Sequence, residues 1–446
     1  MEMSDNRTSM IAMVLYMLKG SPELRIFLGG SLITSLGSAL TRIAIYGKLA
    51  QFGAPPLLFG ESYALSIVPS LFAAGIGLHV LRRAGPTRAL VVSEGLGLIG
   101  VAVPWLGVIC HSVSLLVIGS LIPGIAAGIA IAAYSAVIKA LVKEAHYAAF
   151  SAIDALSFSA STVVGTSIAA LMYSAIAVRW YFFADAASHL IAGIIFYYLG
   201  RVASEVLFSR EERESATGRA GRMPRLRGTR LRAFLLLPLM AATNGAAIAL
   251  LPALGEHFSV MRFWAPLVID PTVILLLART VGQSAGPFIF RPARIDAFFM
   301  SGKALLTFVG MYLGLYAIAF GVRPSEGSFI AVVLAVVLAH VASNVVYVVG
   351  NTAAFGCFTK SEMPAVSVRA NQVTITILAV VSIVAGMLAN ITSLFISFLA
   401  VSVTGFILYS IIIMNVGRGG RLFGRTTKVK PMTGLEDCGV DTEDKI

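Results

Sequence analysis

Charge is what this sequence has least of. Asp, Glu, Lys and Arg supply 13% of its 446 residues, about half the share usual in soluble domains. That leaves too little polar surface to wrap a water-soluble core of this size. Cysteine is scarce too: Cys110, Cys357 and Cys438 are too scattered for a disulfide framework or a thiolate metal cluster. The six histidines never come as close as i,i+4, which excludes an H-E-x-x-H zinc helix. No G-x-x-x-x-G-K-[ST] loop is present to cradle a nucleotide. These absences argue against a soluble enzyme, a nucleic-acid binder and a stapled secreted domain, and they imply neither a metal nor a cofactor.

What the chain has in abundance is hydrocarbon. Hydrophobic residues make up 57% and the mean hydropathy is +0.87. Runs long enough to cross a bilayer recur near 25–49, 63–81, 89–109, 114–138, 150–177 and 180–199. A second set lies near 231–254, 265–290, 304–320, 329–352, 366–388 and 394–414. The expected fold is therefore an all-α polytopic membrane protein with twelve transmembrane helices. The run Met10–Leu18 is too short to span and has no cleavage site after it, so residues 1–24 read as a cytoplasmic segment with an interfacial helix.

The net charge of +12 resolves into topology. With the N-terminus inside, 28 Lys and Arg fall on the inner segments and four on the outer loops, Lys48, Arg179, Arg262 and Arg323. This bias places both termini in the cytoplasm. The most polar connection, 201–230, divides the spans into six-helix halves over 25–200 and 231–415, the pattern of a parallel internal repeat. One faint echo runs between the halves: Lys143 precedes Asp154 by eleven residues, as Lys360 precedes Asn371. The tail 416–446 turns acidic and reads as disordered.

The segment from Lys139 to Ala187, KALVKEAHYAAFSAIDALSFSASTVVGTSIAALMYSAIAVRWYFFADAA, resembles the major facilitator superfamily, and within it the bacterial drug- and siderophore-exporter branch. Lys139 matches a basic residue ending span four, and Asp185 matches an acid in span six. Asp154-Ala155-Leu156 stands where that branch has Asn-Ala-Leu, and Gly165-Thr166 where it has Gly-Pro. The superfamily's loop between spans two and three, G-x-x-x-D-R-x-G-R-[KR], is degenerate in LHVLRRAGPTR. That loop keeps Arg83, Gly85 and Arg88, with Arg82 in place of the acid and Leu78 in place of the leading glycine. The resemblance implies two pseudo-symmetric six-helix bundles, alternating access, and a gate built around Arg82, Arg83, Gly85, Arg88, Glu94 and Asp154. Glu94 and Asp154 lie near the cytoplasmic span ends, where they are expected to tie to those arginines.

An ionisable side chain inside a span is costly and needs a reason. Arg42 lies about 25 Å into span one at the helical rise. Arg279 sits near mid-depth in span eight, and Asp270 one turn from that span's outer end. Asp185 and His189, at i and i+4, share a face of span six and are candidates for proton coupling together with Asp270; a plain hydrogen-bonded pair is the other reading. Span ten carries His340, Asn344, Tyr347 and Asn351 on one stripe that must avoid lipid. Arg42, Tyr134, Asn244, Arg279, His340, Asn344 and Tyr347 are the candidates for the substrate cavity, with helix–helix hydrogen bonding as their alternative role.

The expected function is secondary transport, proton-coupled efflux of a small amphipathic or anionic molecule through a bacterial inner membrane, by a monomer. Uptake of a small metabolite is the alternative. A membrane-embedded enzyme is remote, since no catalytic histidine pair gathers at either face.

Overall fold

The computed structural model describes residues 9–160, 175–203, 223–259 and 271–422, and every regular element among them is helical. In chain order these are α1 Met10–Gly20, α2 Pro22–Gln51, α3 Pro56–Ile67, α4 Pro69–Ala84, α5 Pro86–Ile109, α6 Val113–Gly119, α7 Leu121–Leu141, α8 Tyr147–Ala160 and α9 Arg179–Val202. They continue with α10 Gly228–Ser259, α11 Pro271–Ile289, α12 Ile295–Met300, α13 Gly302–Gly321, α14 Glu326–Cys357, α15 Met363–Ile391 and α16 Leu394–Leu422. Eleven stretches among the described residues are long and apolar enough to cross a membrane. Of the expected fifth span, α8 is described; most of the polar linker, the tail beyond 422 and Asp270 lie outside the described residues.

Local chemistry sets the ends. Ser21 accepts the Leu24 N–H at 3.2 Å and Pro22 opens α2, so a first-turn donor is capped and a proline sits where no N–H is needed. Between α4 and α5 the chain reverses at Gly85, whose φ of +86° suits a residue without a Cβ, and Pro86 starts the next helix. Ser325 and Ser328 form a reciprocal capping box at the head of α14.

The helices form two contacting bundles. In the first, α2 and α5 pack on α9, and α4 and α5 on α7; in the second, α10 packs on α15 and α16, and α14 on α11 and α13. Each bundle has one contact that depends on glycines four apart. A Cβ on Gly124 would press on the Leu65 and Ser66 carbonyls, and one on Gly128 on the Ser70 backbone. In the second bundle, Gly282 faces the Val337 carbonyl and Gly286 the Val341 carbonyl. Small residues at that spacing let backbones approach where lipid supplies no hydrophobic drive.

The bundles meet through α8, which lies against α11 and α14, and through α15, which lies against α4 and α7. At the end carrying α1, a continuous apolar core runs from Val137, Val142 and Phe150 to Leu236, Val349, Phe355 and Phe358, crossing from one bundle to the other. The opposite end is different. There Ile45, Leu49, Val101 and Phe182 pack within the first bundle, and Leu250, Leu254, Tyr316, Val336 and Phe398 within the second. Among the described residues, the apolar core is thus shared by the two bundles at the end carrying α1 and divided between them at the other.

Beside the closed end, Arg230 pairs with Glu362, which also accepts the Thr359 N–H and hydroxyl at 3.0 Å each. Burial favours the neutral acid, but the Thr359 N–H and the Arg230 guanidinium outweigh it and hold the Glu362 carboxyl below its ordinary pKa. That contribution is present above the unfolded value of about 4.3 and is lost as pH falls through the folded one. Thermal midpoints in detergent should therefore fall on acidification by less in Glu362→Gln than in the wild type; equal falls would contradict it. Separately, Gly282→Leu should destabilise by about 1–3 kcal/mol through overpacking. Gly314→Leu, at a glycine with open space around it, should leave the midpoint unchanged.

Candidate functional site

Three polar groupings interrupt the apolar interior. The first lies inside the first bundle, where α2, α5 and α9 converge. The His189 imidazole presents Nδ1 to Glu94 Oε2 at 2.7 Å and Nε2 to Asp185 Oδ1 at 3.5 Å. The Thr34 hydroxyl donates to the same Glu94 oxygen at 2.8 Å, and Ser38 and Ser188 donate to Asp185 at 3.5 and 3.3 Å. Glu94, Asp185 and His189 are all buried. One imidazole is thus set between two carboxylates, each of which also accepts from hydroxyl donors.

Two glycines make room for it. A Cβ at Gly97 would run into the His189 ring, and one at Gly37 into Ser188 and Asp185. The Asp185–His189 proximity was legible from the i,i+4 spacing. Glu94 and Thr34 were not, because they arrive from 95 and 155 residues away in sequence; the only local hint is Gly97 one helical turn after Glu94. The expected tie of Glu94 to Arg82, Arg83 or Arg88 is not formed. Six residues separate Arg88 from Glu94, which turns them to different faces of α5, and the three arginines are exposed.

The second grouping lies in the second bundle. His340 Nε2 is 2.7 Å from the Tyr316 hydroxyl, and the Tyr312 ring stands edge-on to the imidazole at 5.6 Å. His340 is 1% exposed, and its Nδ1 has no hydrogen-bond partner among the described residues. Half-buried Arg279 lies close enough for its charge to act on Tyr312, Tyr316 and His340. Among the described residues no carboxylate pairs with it. Asn244 donates to Ser343 at 2.8 Å, binding α10 to α14, and Asn344 packs its Cβ beside Gly286. Sequence reasoning missed Tyr312 and Tyr316, which sit in an otherwise apolar span. Arg42 is exposed and is felt by Tyr46.

The third grouping lies between the bundles. The Asp154 carboxylate on α8 accepts from Tyr134 at 2.7 Å, from Tyr347 at 2.9 Å and from Asn351 at 3.4 Å. Tyr134 belongs to its own bundle; Tyr347 and Asn351, one turn apart on α14, belong to the other. Nearer the closed end, buried Lys139 donates to the Phe355 carbonyl and to the Tyr147 hydroxyl, the latter at 3.1 Å. The Phe355 ring sits against Tyr147 and Phe150 at 5.7 and 5.6 Å. The expected pairing of Asp154 with the loop arginines is therefore replaced by hydroxyl and amide donors, because α8 turns that side chain into the seam. The span-ten stripe divides in the same way, His340 into its own bundle and Tyr347 and Asn351 across to Asp154.

The family described as Major Facilitator Superfamily matches residues 27–319. The chain belongs to that superfamily. It is a secondary transporter that moves small molecules across the membrane. Solved structures share the fold at low identity. The human organic anion transporter MFSD10 (TETRAN) has a TM-score of 0.63 at 16% identity, over 88% of this chain and 99% of that one. A bacterial homologue of the iron transporter ferroportin, in its outward-facing state, has 0.63 at 14%, over 88% and 98%. The proton:xylose symporter XylE has 0.60 at 12%, over 90% and 100%. No curated protein sequence matched the chain. This range of neighbours does not single out the drug- and siderophore-exporter branch that the Lys139–Ala187 segment resembles.

Truncating Glu94 to Ala would remove the acceptor that Thr34 and His189 Nδ1 share, leaving them only their mutual contact at 3.1 Å, at a cost of about 1 kcal/mol. The thermal midpoint of the purified protein should drop in Glu94→Ala and recover most of the difference in Glu94→Gln. A midpoint in Glu94→Ala equal to wild type would contradict the described contacts.

Proposed function

We propose that this transporter takes up a small metabolite together with protons. The observation that carries the reading is the His189 imidazole held between the buried carboxylates of Glu94 and Asp185, a proton site enclosed in one bundle. With the termini in the cytoplasm, as the 28-to-4 Lys and Arg asymmetry supports, the sealed end is cytoplasmic and this conformation faces outward. Cargo and proton then enter from the same side. Arg279 is the anchor for an anionic group on the cargo, since its charge lacks a carboxylate partner among the described residues. His340 and Tyr316 hold the cargo side of the second bundle in register behind it.

Uptake is favoured over export by the likeness to a structure titled as a proton:xylose symporter. A second reading, efflux of an amphipathic or anionic molecule, draws on the exporter-like segment and on the neighbour titled as an organic anion transporter. The two differ in the direction in which a proton gradient drives accumulation.

Proteoliposomes loaded at alkaline pH and diluted into acidic buffer decide between them, with a panel of small carboxylates and sugars as cargo. The expected result is accumulation stimulated by the inward proton gradient. Glu94→Gln should lose that stimulation and keep gradient-free exchange, and Arg279→Ala should raise KM for anionic cargo about tenfold, equivalent to about 1.4 kcal/mol. Uptake indifferent to the gradient, or a wild-type response in Glu94→Gln, removes the proton assignment. Accumulation only under the opposite gradient establishes export.

A further inference from the structure

The seam between the bundles contains two positions related by the internal repeat, and they are bonded unequally. Asp154 lies on α8, which packs on α11 and α14; Asn371 lies on α15, which packs on α4 and α7. Both follow a loop lysine by eleven residues. Asp154 receives three hydrogen bonds, two of them from the opposite bundle. The Asn371 amide nitrogen is buried with no hydrogen-bond partner among the described residues. One of the two equivalent seams is therefore fastened by a polar cluster, and the other relies on apolar packing and on the bond from neighbouring Gln372 to the Leu71 carbonyl at 2.5 Å.

We propose that Asp154 is the latch of the closed end: its carboxylate, clasped by Tyr347 and Asn351, holds the bundles together there, and release of those two bonds is the step that lets the end open. Rocking the bundles apart must break both at once, because their donors share one face of α14 one turn apart. Tyr134 travels with Asp154 in the first bundle and stays bonded when the others leave. The carboxylate then keeps one strong partner while water replaces the rest, so the opened state pays no price of an orphaned buried charge. Bonds to an ionised acceptor are roughly twice as strong as neutral ones, which suits a carboxylate to this task better than the amide at the equivalent position 371.

Position along the helices supports a two-layer closure. Tyr347 lies eight residues before Phe355 on α14, about 12 Å at the helical rise. Phe355, wedged against Tyr147 and Phe150 and tied to Lys139, forms the outer layer toward the sealed face, and the Asp154 cluster lies behind it. Cys357, 2% exposed beyond Phe355 toward the sealed face, is covered by the core that the two bundles share there and is uncovered when that core parts. It is a native reporter of the event.

The test uses the full chain with Cys110→Ser and Cys438→Ser, reconstituted in liposomes without cargo or pH gradient, so its outcome is independent of the proton reading. The rate of Cys357 modification by N-ethylmaleimide measures opening. Asp154→Asn should raise that rate at least tenfold and Tyr347→Phe several-fold. The double variant should label no faster than Asp154→Asn alone, because both remove the same clasp. Asn371→Ala should label at the parent rate. An unchanged rate in Asp154→Asn, or single effects that multiply in the double variant, overturns the latch. If Asp154→Asn fails to yield a monodisperse protein, Tyr347→Phe combined with Asn351→Leu carries the test, and a parent-like rate in that pair overturns it equally.

Discussion

Inside a bilayer, a polar side chain that loses its partner has no water to replace it, and that cost gives the main polar pairings among the described residues their importance. Glu94 and Asp185 share one imidazole. Tyr316 meets His340, Asn244 meets Ser343, and Asp154 gathers three donors from two helices. The interior is organised around these few pairings, and the apolar majority fills the volume between them. Two of the gaps among the described residues lie near each other in the second bundle: Arg279 has no carboxylate partner and His340 Nδ1 no hydrogen-bond partner.

The same cost explains why the bundles can move. A seam fastened throughout by buried hydrogen bonds would be locked. Among the described residues the apolar core is continuous across the bundles at the end carrying α1, and at the other each bundle packs within itself. Apolar surfaces that part in lipid or water lose little specificity, whereas the handful of polar contacts at the closed end set which arrangement is held.

Spans and their number were legible because hydrocarbon runs are local and long. The Asp185–His189 pairing was legible because i,i+4 is local too. Glu94 escaped, since its partners come from α2 and α9 and no periodicity within α5 points to them. The polar stripe of span ten was visible as a stripe, yet its division was not. His340 and Tyr347 share a face of α14, but the neighbour of that face changes along its length, from α13 inside the bundle to α8 across the seam. Depth, which a helical wheel discards, decides their roles. The GxxxG pairs at 124–128 and 282–286 could be read from sequence as close contacts, though which helix they meet required the fold.

The glycines around His189 carry a mechanical consequence. With the Gly97 backbone lying against the imidazole and Gly37 against Asp185 and Ser188, three helices are keyed into one another with no slack for a side chain to swing. A push at that junction has little local rearrangement to be absorbed by, so the three helices that meet there answer it as one stiff body.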